Sequence, residues 1–459
     1  MPRAEVDMER YDVIVVGGGP AGSNAGRTAA EADADVLVLE QGIPRADRDE
    51  LGPDSTDAAG MLDYWIDLME LDPSEIPEEI ILQELDAVDF IAPNAAVELR
   101  TTGLDATYDR IGFTFQRARM DDWMRERAET AGAAYEVGNS VKRLEPAADG
   151  GHEVTTADDE LYLADAVVLA DGPQRRVTMQ VLERYLPDDH PVLSAMSPPN
   201  ANHIAYQEHR RLPEEAFEPE RLKFWWGYMP GETAYPWVFP NDEPIARIGL
   251  TMPIGLDLGA VANPDTYPLL DPADERIPTG STYIRRLLEL EYGDQYDIDE
   301  DLPLVADRGK RGGTETYAIS STRPIDSPTD TDIAIAGGAM GTTSAFHEGG
   351  YHVATRTGSI AGRLAATGEL HRYNAAWKEA IGDELVRNVT FADIVREYTP
   401  ADWDRAFSVA NKMVGDDRLI ERVYSAGWFA TKLYLGYRWR KYGYRGGRYV
   451  QLREDEYTY

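Results

Sequence analysis

A glycine-rich turn within the first forty residues constrains the fold more than any other feature of the chain. Residues 12–16 (DVIVV) form a short, apolar, β-branched run, which is typical of a buried strand, and the sequence GGGPAG follows at once. In this GxGxxG pattern Gly17 permits a tight turn, Gly19 lets a pyrophosphate approach the backbone, and Gly22 lets a helix pack closely on the sheet. The pattern predicts a Rossmann-type nucleotide-binding unit.

The residues after the turn complete the same unit. The helix predicted over residues 20–32 begins with Pro20 and Ala21, so that its N-terminus faces the phosphates. Residues 36–39 (VLVL) predict the second buried strand, and Glu40 stands at its end, where a carboxylate can accept both hydroxyls of an adenosine ribose. A glycine-rich turn without a ligand is the alternative, but strand, helix, strand and acid in this order favour a dinucleotide site.

Length and charge limit the remaining possibilities. At 459 residues the chain exceeds a single hydrophobic core, so we expect two or three domains. The 82 acidic residues outnumber the 45 basic ones, which are mostly Arg, and leave a net charge of -37. We expect a surface adapted to high salt, as in a halophilic archaeon, because salt screens such self-repulsion; an acidic mesophilic protein is the alternative. With either surface, nucleic acid is not an expected partner.

Residue types and hydropathy exclude other classes. The chain has no Cys, which excludes disulfides and thiolate metal sites, and its 7 His show no paired spacing, so no metal site is predicted. The charged N-terminal sequence offers no apolar signal region, and no apolar stretch reaches spanning length. We therefore expect a cytoplasmic protein, or one that is peripheral on the cytoplasmic membrane face.

The order of strand and helix patterns indicates an interrupted nucleotide-binding domain. Residues 166–170 (AVVLA) and 332–336 (DIAIA) predict two further buried parallel strands, and a helix is expected over residues 350–367. Between these strands, from about residue 177 to 304, alternating aromatic-rich runs and Pro-rich turns predict a mostly antiparallel sheet. A hairpin over residues 80–99 is expected to lie with that sheet.

The predicted fold class is α/β + α+β, with a Rossmann-type domain built from discontinuous segments, an inserted, mostly antiparallel substrate domain and a C-terminal helical region. The expected boundaries are residues 1–75, 105–180 and 306–372 for the nucleotide-binding domain, 76–104 and 181–305 for the substrate domain, and 373–459 for the helical region. Smaller elements are also expected: helices over 61–71 and 121–131, a strand over 110–116, and a C-terminal helix that ends at Pro400. A second C-terminal helix is marked by Trp403, Phe407, Ala410 and Met413.

Four further motifs follow in chain order. Arg117 and Asp121 form Arg-x-x-x-Asp at the start of a predicted helix, and the strand ending VVLADG carries Asp171 and Gly172. The sequence AYPWVFP follows, and the run IAGGAMGTTSAFHEGGYHVATRTG resembles a second flavin motif, with a glycine-rich loop before a helix. With the N-terminal YDVIVVGGGPAGSNA, they resemble the geranylgeranyl reductase family, within the larger group of flavoproteins built like p-hydroxybenzoate hydroxylase. The AYPWVFP sequence matches the family's YxWxFP and is the most discriminating of the motifs.

The resemblance implies FAD as the cofactor and a cofactor site made from both halves of the nucleotide-binding domain. The residues it assigns to FAD are Gly17, Gly19, Pro20, Ala21, Gly22, Glu40, Gln41, Arg117, Asp171, Gly172, Gly338 and Gly350. It also implies an FAD-dependent oxidoreductase that reduces isolated C=C bonds of a prenyl (geranylgeranyl) lipid, such as an archaeal ether lipid precursor or a quinone side chain. The electron donor, a ferredoxin or NAD(P)H, stays open.

The chain departs from the family at the second flavin motif. Gly338 stands where the family has Asp, the family's later proline is missing, and the archaeal members' cysteine has no counterpart in ELGPDSTDAAG. We expect the backbone N–H groups of residues 337–341 to bind a phosphate instead. The hydroxyls available to assist them are those of Thr342, Thr343 and Ser344.

The YxWxFP sequence predicts an aromatic wall. Tyr235, Trp237 and Phe239 alternate along a strand and therefore project from one face, where they are expected to act catalytically by lining a pocket for the prenyl chain. Aromatic faces stabilise the positive charge that develops at a tertiary carbon during alkene reduction. Core packing is the alternative for the same stripe. The proton source stays open among Tyr235, His347, Glu348 and His352.

Two other functions use the same scaffold. A flavin-dependent monooxygenase or halogenase is the first, although the WxWxIP sequence expected of a halogenase is absent. The second is a lipid-binding protein that has lost flavin chemistry together with the motif aspartate.

The C-terminal region reverses the composition of the chain. Its basic residues are Arg418, Arg422, Lys432, Arg438, Arg440, Lys441, Arg445 and Arg448, its aromatic residues are Tyr424, Trp428, Phe429, Tyr434, Tyr437, Trp439, Tyr442, Tyr444 and Tyr449, and between Arg418 and Arg448 only Glu421 is acidic. Such a composition predicts peripheral contact with anionic lipid. The alternative is a helix pair that neutralises acids within the protein or in an oligomer.

Overall fold

A computed structural model describes residues 8–44, 60–309, 311–414 and 435–459 of the chain. The strands are β1 (Arg10–Val16), β2 (Val36–Glu40), β3 (Gly60–Leu62), β4 (Ile81–Leu85), β5 (Ala87–Ala92), β6 (Ala95–Leu99), β7 (Gly112–Phe115), β8 (Ala134–Val137), β9 (Val141–Pro146), β10 (His152–Thr156), β11 (Leu161–Leu169), β12 (Asn202–Arg211), β13 (Arg221–Trp225), β14 (Tyr235–Pro240), β15 (Ile245–Pro253), β16 (Thr314–Ser320) and β17 (Ile333–Ile335). The helices are α1 (Pro20–Ala30), α2 (Asp63–Leu68), α3 (Arg117–Ala131), α4 (Arg176–Tyr185), α5 (Pro191–Ala195), α6 (Pro198–Ala201), α7 (Gly280–Tyr292), α8 (Tyr351–Ala366), α9 (Tyr373–Val395) and α10 (Pro400–Val414).

The first sheet is the nucleotide-binding sheet, with strand order β8-β2-β1-β11-β10-β9 and β17 beside β11. Strands β8, β2, β1, β11 and β17 pair in parallel, whereas β9 and β10 form an antiparallel edge. The predicted strands of this sheet and the helix after the turn are all present, which confirms the Rossmann-type fold. The apolar runs are buried on both faces, as parallel strands between helices require.

Glycines allow α1 and α8 to pack against each other at close range. A Cβ atom at Gly358 would lie 1.9 Å from the carbonyl oxygen of Ala21, and one at Gly362 would lie 2.0 Å from that of Ala25. Only glycine fits at such separations, so the two helix backbones touch. This contact places the N-termini of both helices, which begin at Pro20 and Tyr351, beside the parallel strands.

The second sheet has the strand order β16-β12-β15-β14-β13-β5-β6 and is antiparallel except between β5 and β13. The hairpin β5–β6 turns at Pro93 and Asn94 and joins this sheet, as expected from the sequence. Residues 81–85, which were expected in the same hairpin, form β4 and pair with β7 in a different sheet. The helix α7 covers one face, where Tyr283, Ile284 and Leu287 are buried. The other face carries Tyr235, Trp237 and Phe239 of the AYPWVFP strand, whereas Val238 packs on the α7 side.

A small third sheet, β3-β7-β4, packs with α2 and α3 around a separate cluster of apolar side chains. The helix expected over 61–71 is shorter than predicted, because Met61 pairs with Phe113 as part of β3 and α2 begins only at Asp63. Conversely, α3 begins at Arg117, four residues earlier than expected.

Two other expectations from the sequence were wrong. Residues 176–201, which we expected to belong to the sheet, form α4, α5 and α6; Val177, Val181 and Leu182 are buried with helical spacing. Pro400 begins a helix instead of ending one, because a proline in the first turn removes no intrahelical hydrogen bond. The side chain of Asp402 accepts a hydrogen bond from the backbone N–H of Thr399 and so stabilises this helix start.

The end of the chain returns to the nucleotide-binding domain. Residues 435–443 are helical, and beyond them Leu452 forms a β-bridge with Ile325 while the Tyr457 hydroxyl donates to the carbonyl of Asp326 at 2.7 Å. Tyr449 joins the core cluster of the first sheet. Among the helices that the structure describes, none combines the length and the apolar character needed to cross a bilayer.

Candidate functional site

The first glycine-rich turn leaves space in front of α1. Gly17 has φ +100° and lies against the end of β11, where a Cβ atom would come 2.4 Å from the carbonyl oxygen of Ala170. Gly19, the N-cap of α1, is different: a Cβ atom there would meet nothing within 4 Å. The N-terminal N–H groups of a helix attract phosphate, so this opening fits the pyrophosphate of a dinucleotide.

Glu40 lies at the edge of the same turn. Its carboxylate accepts hydrogen bonds from the backbone N–H groups of Gly18, at 2.6 Å, and Gly42. These bonds hold the carboxylate beside the turn, where the predicted ribose contact requires it. Gln41 is exposed next to it.

Asp171 has a structural hydrogen-bonding role that the sequence did not indicate. Its carboxylate accepts from the backbone N–H groups of Val177, at 2.7 Å, and Thr178, at 3.0 Å, and from the Thr178 hydroxyl. Burial raises the pKa of Asp171, and the hydrogen bonds from Thr178 oppose this shift. The carboxylate therefore satisfies the N-terminus of α4, whereas the neighbouring Gly172, at φ +65°, borders open space.

The second glycine-rich turn, residues 337–341, follows β17 and forms a short 3-10 helix. Gly337 donates its N–H to the Thr357 hydroxyl at 3.0 Å, and the Thr342 hydroxyl donates to the Gly337 carbonyl at 2.9 Å. A Cβ atom at Gly338 would lie 3.6 Å from the nearest atom, the nitrogen of Pro173, which is an ordinary contact distance. The turn therefore has room for a side chain at residue 338, where the family has Asp.

Some of the hydroxyl groups that were expected to assist this turn already have hydrogen-bond partners within the protein. The Ser344 hydroxyl accepts from the backbone N–H groups of Phe346 and His347, both at 3.2 Å. Thr343 packs against Gly350, the N-cap of α8, where a Cβ atom would lie 2.9 Å from the Thr343 hydroxyl oxygen. The backbone N–H groups of Gly337, Gly341 and Thr342 are also bonded within the protein, so those of Gly338 and Ala339 are the backbone donors that the turn can offer to a phosphate.

Arg175 holds the second turn in place, and the sequence analysis missed it. The side chain is fully buried and has φ +50°. Its guanidinium donates to five acceptors, namely the carbonyl oxygens of Pro173, Gly338 and Ala339 and the side chains of Asn202 and Ser320. Burial lowers the pKa of Arg175 to about 10, so it stays protonated at neutral pH. It ties the second turn to β12 and β16 of the other sheet.

Arg117 occupies the opposite side of the site at the start of α3. Its Nε donates to both carboxylate oxygens of Asp121 at 2.9 Å, and its guanidinium lies 5.0 Å from the centre of the Tyr351 ring. The Tyr351 hydroxyl donates to Asp121 at 3.1 Å. The predicted Arg-x-x-x-Asp pair thus meets the first residue of α8, a contact that the sequence did not indicate.

The predicted aromatic wall is present and extends beyond the YxWxFP residues. Trp237 lies 6.0 Å, centre to centre, from both Tyr235 and Phe239, and all three side chains are buried. Trp226 stacks on Tyr235 at 4.4 Å and on Phe346 at 5.4 Å. Phe346 belongs to the loop after the second glycine-rich turn, so the wall meets the nucleotide-binding domain. Burial in this cluster also agrees with the core-packing alternative.

Polar side chains occupy the other half of the same sheet face. Gln207 on β12, Arg247 and Thr251 on β15, and Glu315 on β16 are all almost completely buried, and Gln207 donates to Glu315. Alternation along β12 was the available signal, because His203, Gln207 and the intervening Ala205 share one face.

The four candidate proton sources form two groups that meet at His347. The Tyr235 hydroxyl donates to the carbonyl of His347 at 2.8 Å, which brings Tyr235, His347 and Glu348 together. His352 instead lies 2.6 Å from a Glu384 carboxylate oxygen and stacks on Trp65 at 4.4 Å. His347 links the two groups, because its carbonyl accepts from Tyr235 while its ring stacks on Trp65 at 5.9 Å, on the same side chain as His352.

In the described part of the C-terminal basic region, one basic side chain is hydrogen-bonded to the rest of the protein, and several apolar and aromatic side chains are exposed. Arg440 donates to the carbonyl of Asp393 at 2.6 Å, which gives one of the basic residues a structural partner. Trp439, Tyr442 and Leu435 are 78%, 64% and 57% exposed. The other predicted residues of this region, from Arg418 to Tyr434, lie outside the described residues.

Comparison with known proteins agrees with this geometry. A family model described as an FAD binding domain matches residues 12–181. Geranylgeranyl diphosphate reductase of Synechocystis sp. is 29% identical over 51% of this chain and 53% of its own length, so the chain spans about half of that relative. Digeranylgeranylglycerophospholipid reductase 2 of Methanothermobacter thermautotrophicus is 25% identical over 84% of this chain and 88% of its own length.

Solved structures share the fold across nearly the whole chain. A geranylgeranyl bacteriochlorophyll reductase-like protein from Thermoplasma acidophilum has a TM-score of 0.69 at 18% identity, covering 94% of this chain and 100% of that one. A flavin-dependent brominase has a TM-score of 0.60 at 14% identity, covering 94% of this chain and 99% of that one. The sequence relatives, the family model and the two turns lead to one assignment. The chain has an FAD binding domain and is similar to geranylgeranyl reductases over most of its length.

Proposed function

We propose that this protein reduces isolated C=C bonds of a geranylgeranyl lipid. The observation that carries the proposal is the meeting of the aromatic wall with the loop after the second glycine-rich turn, through Trp226 and Phe346. An apolar wall beside the cofactor site suits an unactivated prenyl chain, which offers no polar group to recognise. Bound FAD supplies the hydride when reduced.

The substrate we propose is an archaeal ether lipid precursor of the digeranylgeranylglycerophospholipid class. Relatives named for that substrate match more than four-fifths of this chain, whereas the Synechocystis relative matches about half of it. A quinone side chain is the alternative prenyl substrate. The polar half of the sheet face, around Gln207 and Glu315, could accommodate a polar headgroup next to an apolar chain-binding half.

The side chains of the wall have three tasks in this reaction. They bind the prenyl chain, exclude water from it, and present aromatic faces to the tertiary carbon where positive charge develops. Trp237, which is 2% exposed and lies between Tyr235 and Phe239, has the central position in the wall. The wall therefore stabilises the charged transition state without supplying a nucleophile.

The direct experiment is an anaerobic single turnover. The purified protein, with its FAD content measured by visible absorption, is reduced with dithionite and mixed with a digeranylgeranylglycerophospholipid in detergent micelles. We expect the flavin to reoxidise while the lipid gains two hydrogens for each bond reduced, measured by mass spectrometry. No hydrogen gain in the lipid would refute the proposal. Repeating the reduction with NADH, NADPH or reduced ferredoxin identifies the physiological donor.

A monooxygenase or halogenase is the second candidate, because the brominase shares the fold. Such an enzyme consumes oxygen in step with its substrate. Oxygen uptake measured with and without the lipid separates the two candidates: uptake that rises with lipid and yields an oxygenated product would favour the second. A lipid-binding protein without flavin chemistry would show no flavin absorption after purification at high salt.

We also propose peripheral contact of the C-terminal helix with an anionic membrane. The exposed apolar and aromatic side chains Leu435, Trp439 and Tyr442 support it, since Trp and Tyr favour the headgroup boundary. Replacing both Leu435 and Trp439 with Ser should release the protein from anionic liposomes in a cosedimentation assay, whereas Leu104→Ser, at a residue 55% exposed elsewhere, should not. Unchanged sedimentation of the double variant over a salt series would refute this contact.

We also propose that the surface of the protein is adapted to high salt. The net charge of -37 repels itself at low ionic strength, and salt screens this repulsion. We expect the Tm to rise with KCl concentration in a thermal scan. A Tm that is flat from low to molar salt would favour an acidic mesophilic protein.

A further inference from the structure

Glu348 is an unusual glutamate next to the aromatic wall. Its side chain is 2% exposed, and its backbone has φ +56°, in the left-handed region that non-glycine residues rarely adopt. Both features cost free energy, because a carboxylate loses its hydration on burial and the left-handed backbone is strained. Local folding alone does not explain why a glutamate occupies this buried, left-handed position.

His203 is the partner of this carboxylate. Its Nδ1 lies 2.5 Å from Oε1 of Glu348, and its side chain is 11% exposed. The contact is an ion pair by distance, since neither carboxylate oxygen of Glu348 nor Nδ1 of His203 has a hydrogen bond of good geometry among the described residues. The second carboxylate oxygen, Oε2, is also buried and is not part of this ion pair. His203 is on β12 of the second sheet, whereas Glu348 is on the loop of the nucleotide-binding domain, so the pair joins the two parts of the site.

The pair lies beside the wall. Glu348 follows His347, whose carbonyl accepts the Tyr235 hydroxyl, and the charge of Glu348 acts on Tyr235. On the sheet, Ala205 of β12 and Tyr235 of β14 both pair with Thr251 of β15. His203, two residues from Ala205, is therefore one row further along the same face.

The other acidic groups at this place are poor proton donors. The Tyr235 proton is used in the hydrogen bond to His347, and burial raises the pKa of Tyr235 well above 10. Burial lowers the pKa of His347 to about 4, so that imidazole is neutral at neutral pH, and its Nδ1 already accepts from the Gly349 N–H at 3.2 Å. His352 is paired with Glu384 behind Trp65.

We propose that Glu348 and His203 form the proton-donating pair of the reductase, in which Glu348 delivers the proton to the alkene and His203 is the positioning residue that replenishes it from solvent. The inference rests on the proposed function. Oε2 of Glu348, the carboxylate oxygen outside the ion pair with His203, is the delivering atom, and the slightly exposed His203 is the member of the pair that reaches water.

The step balances with the hydride that reduced FAD supplies. The π electrons of the alkene form a C–H bond to the proton from Glu348, and the positive charge falls on the tertiary carbon facing the wall. The hydride then forms the second C–H bond with its own electron pair, so the alkene gains two electrons and FAD is oxidised. Glu348 is left as a carboxylate and regains a proton through His203.

The test uses the anaerobic single turnover with the digeranylgeranylglycerophospholipid, in H2O and in D2O. Glu348→Gln should bind FAD normally and slow flavin reoxidation by about 100-fold, the usual contribution of a positioned general acid. His203→Gln should slow it about tenfold and remove a limb of the pH–rate profile, since Glu348 then loses its proton supply. The titratable neighbours Tyr235 and Tyr317 keep their places in both variants.

A matched control exists in the chain, because Glu384 and His352 form a second buried carboxylate–imidazole pair at 2.6 Å. Glu384→Gln should turn over at the wild-type rate with the wild-type solvent isotope effect. Should it slow the reaction as much as Glu348→Gln does, burial of such a pair would be the cause and the assignment to Glu348 would fall.

The outcomes separate this inference from the proposed function. If the wild-type protein adds no hydrogen to the lipid, the proposed function fails and the inference with it. If the wild-type protein reduces the lipid and Glu348→Gln does so at the same rate, only the inference fails. If Glu348→Gln loses FAD, Glu348→Gly removes the carboxylate while suiting φ +56°, and wild-type turnover by that variant overturns the inference. If both Glu348→Gln and Glu348→Gly lose FAD, an unchanged pH–rate profile of His203→Gln overturns the inference.

Discussion

The two glycine-rich turns that frame the FAD site are built in different ways. The first turn is shaped by its own sequence: Gly17 contacts the end of β11, Gly22 contacts the Gly17 carbonyl, and the first sheet surrounds both. The second turn is held by residues far away in the chain, through Arg175 and Thr357. Both turns need glycines: Gly17 and Gly22 in the first, and in the second Gly337 and Gly341, where a Cβ atom would lie 2.9 Å from the Ala21 Cβ and 2.6 Å from the Arg323 carbonyl oxygen. The second turn differs in that residue 338 can change as long as the outside supports remain.

This difference explains why the second turn lacks the motif aspartate without losing its shape. The Gly338 carbonyl is fixed by Arg175, and the neighbouring Gly337 N–H is fixed by Thr357. Neither bond involves the side chain of residue 338. The comparison predicts that removing a support damages the second turn more than changing residue 338 does, and that the first turn depends on its own residues.

The largest effect is expected for Arg175→Met. The variant leaves the five acceptors of the guanidinium without their donor inside the protein, and unsatisfied buried acceptors cost roughly 4 kcal/mol in total. Denaturant unfolding should show this loss together with a loss of bound FAD. The exposed neighbour Arg176 gives the control, because Arg176→Met should leave both unchanged. Wild-type stability of Arg175→Met would mean that the second turn needs no outside support.

A pH effect should also distinguish the two turns. Burial lowers the pKa of His347, after the second turn, from 6.5 to about 4. Between these values the unfolded chain binds a proton that the folded chain does not, so stability falls as pH decreases from 6.5 to about 4, by roughly 3 kcal/mol from this residue. His347→Gln should flatten that part of a stability–pH curve, whereas substitution of the exposed His371 should not. A curve that keeps its slope in the His347 variant would contradict the assignment.

The first turn could be predicted from the sequence, whereas the residues that support the second turn could not. Strands β1 and β2 and the helix α1 were predicted to within two residues, since the signals of strand, turn and helix lie side by side in the sequence. Arg175 was missed because a side chain that bonds to residues over 140 positions away has no local signal. His203 and Glu348 were not paired for the same reason. Helices at 176–201 were missed because their short apolar runs fit either periodicity.

Gly19→Val tests the first turn directly. The valine side chain would occupy the open space in front of α1, where the pyrophosphate must approach, so we expect FAD affinity to fall about 100-fold, or about 2.7 kcal/mol. Protein stability without FAD should change little, because a Cβ atom there meets nothing within 4 Å. Fluorescence titration of the apoprotein with FAD measures the affinity, and Gly436→Val, at another uncrowded glycine, is the control. Full FAD affinity in Gly19→Val would mean that the dinucleotide lies elsewhere.

Gly338→Asp should have the smallest effect and the opposite sign. A Cβ atom at this position lies 3.6 Å from its nearest neighbour, and the Gly338 carbonyl keeps its bond to Arg175, so a side chain can be added without moving the turn. The carboxylate restores the group that the resembling family places near the ribityl chain of FAD, and one hydrogen bond to a charged acceptor is worth about 1.5 kcal/mol, or roughly tenfold in affinity. Gly338→Ala separates the two parts of the argument, because it fills the same space without the charge. An FAD titration should therefore rank Asp above Ala and Ala near wild type. If Asp instead binds FAD more weakly than Ala, the carboxylate meets the phosphates and not the ribityl hydroxyls, and the second turn then binds its ligand through backbone N–H groups alone.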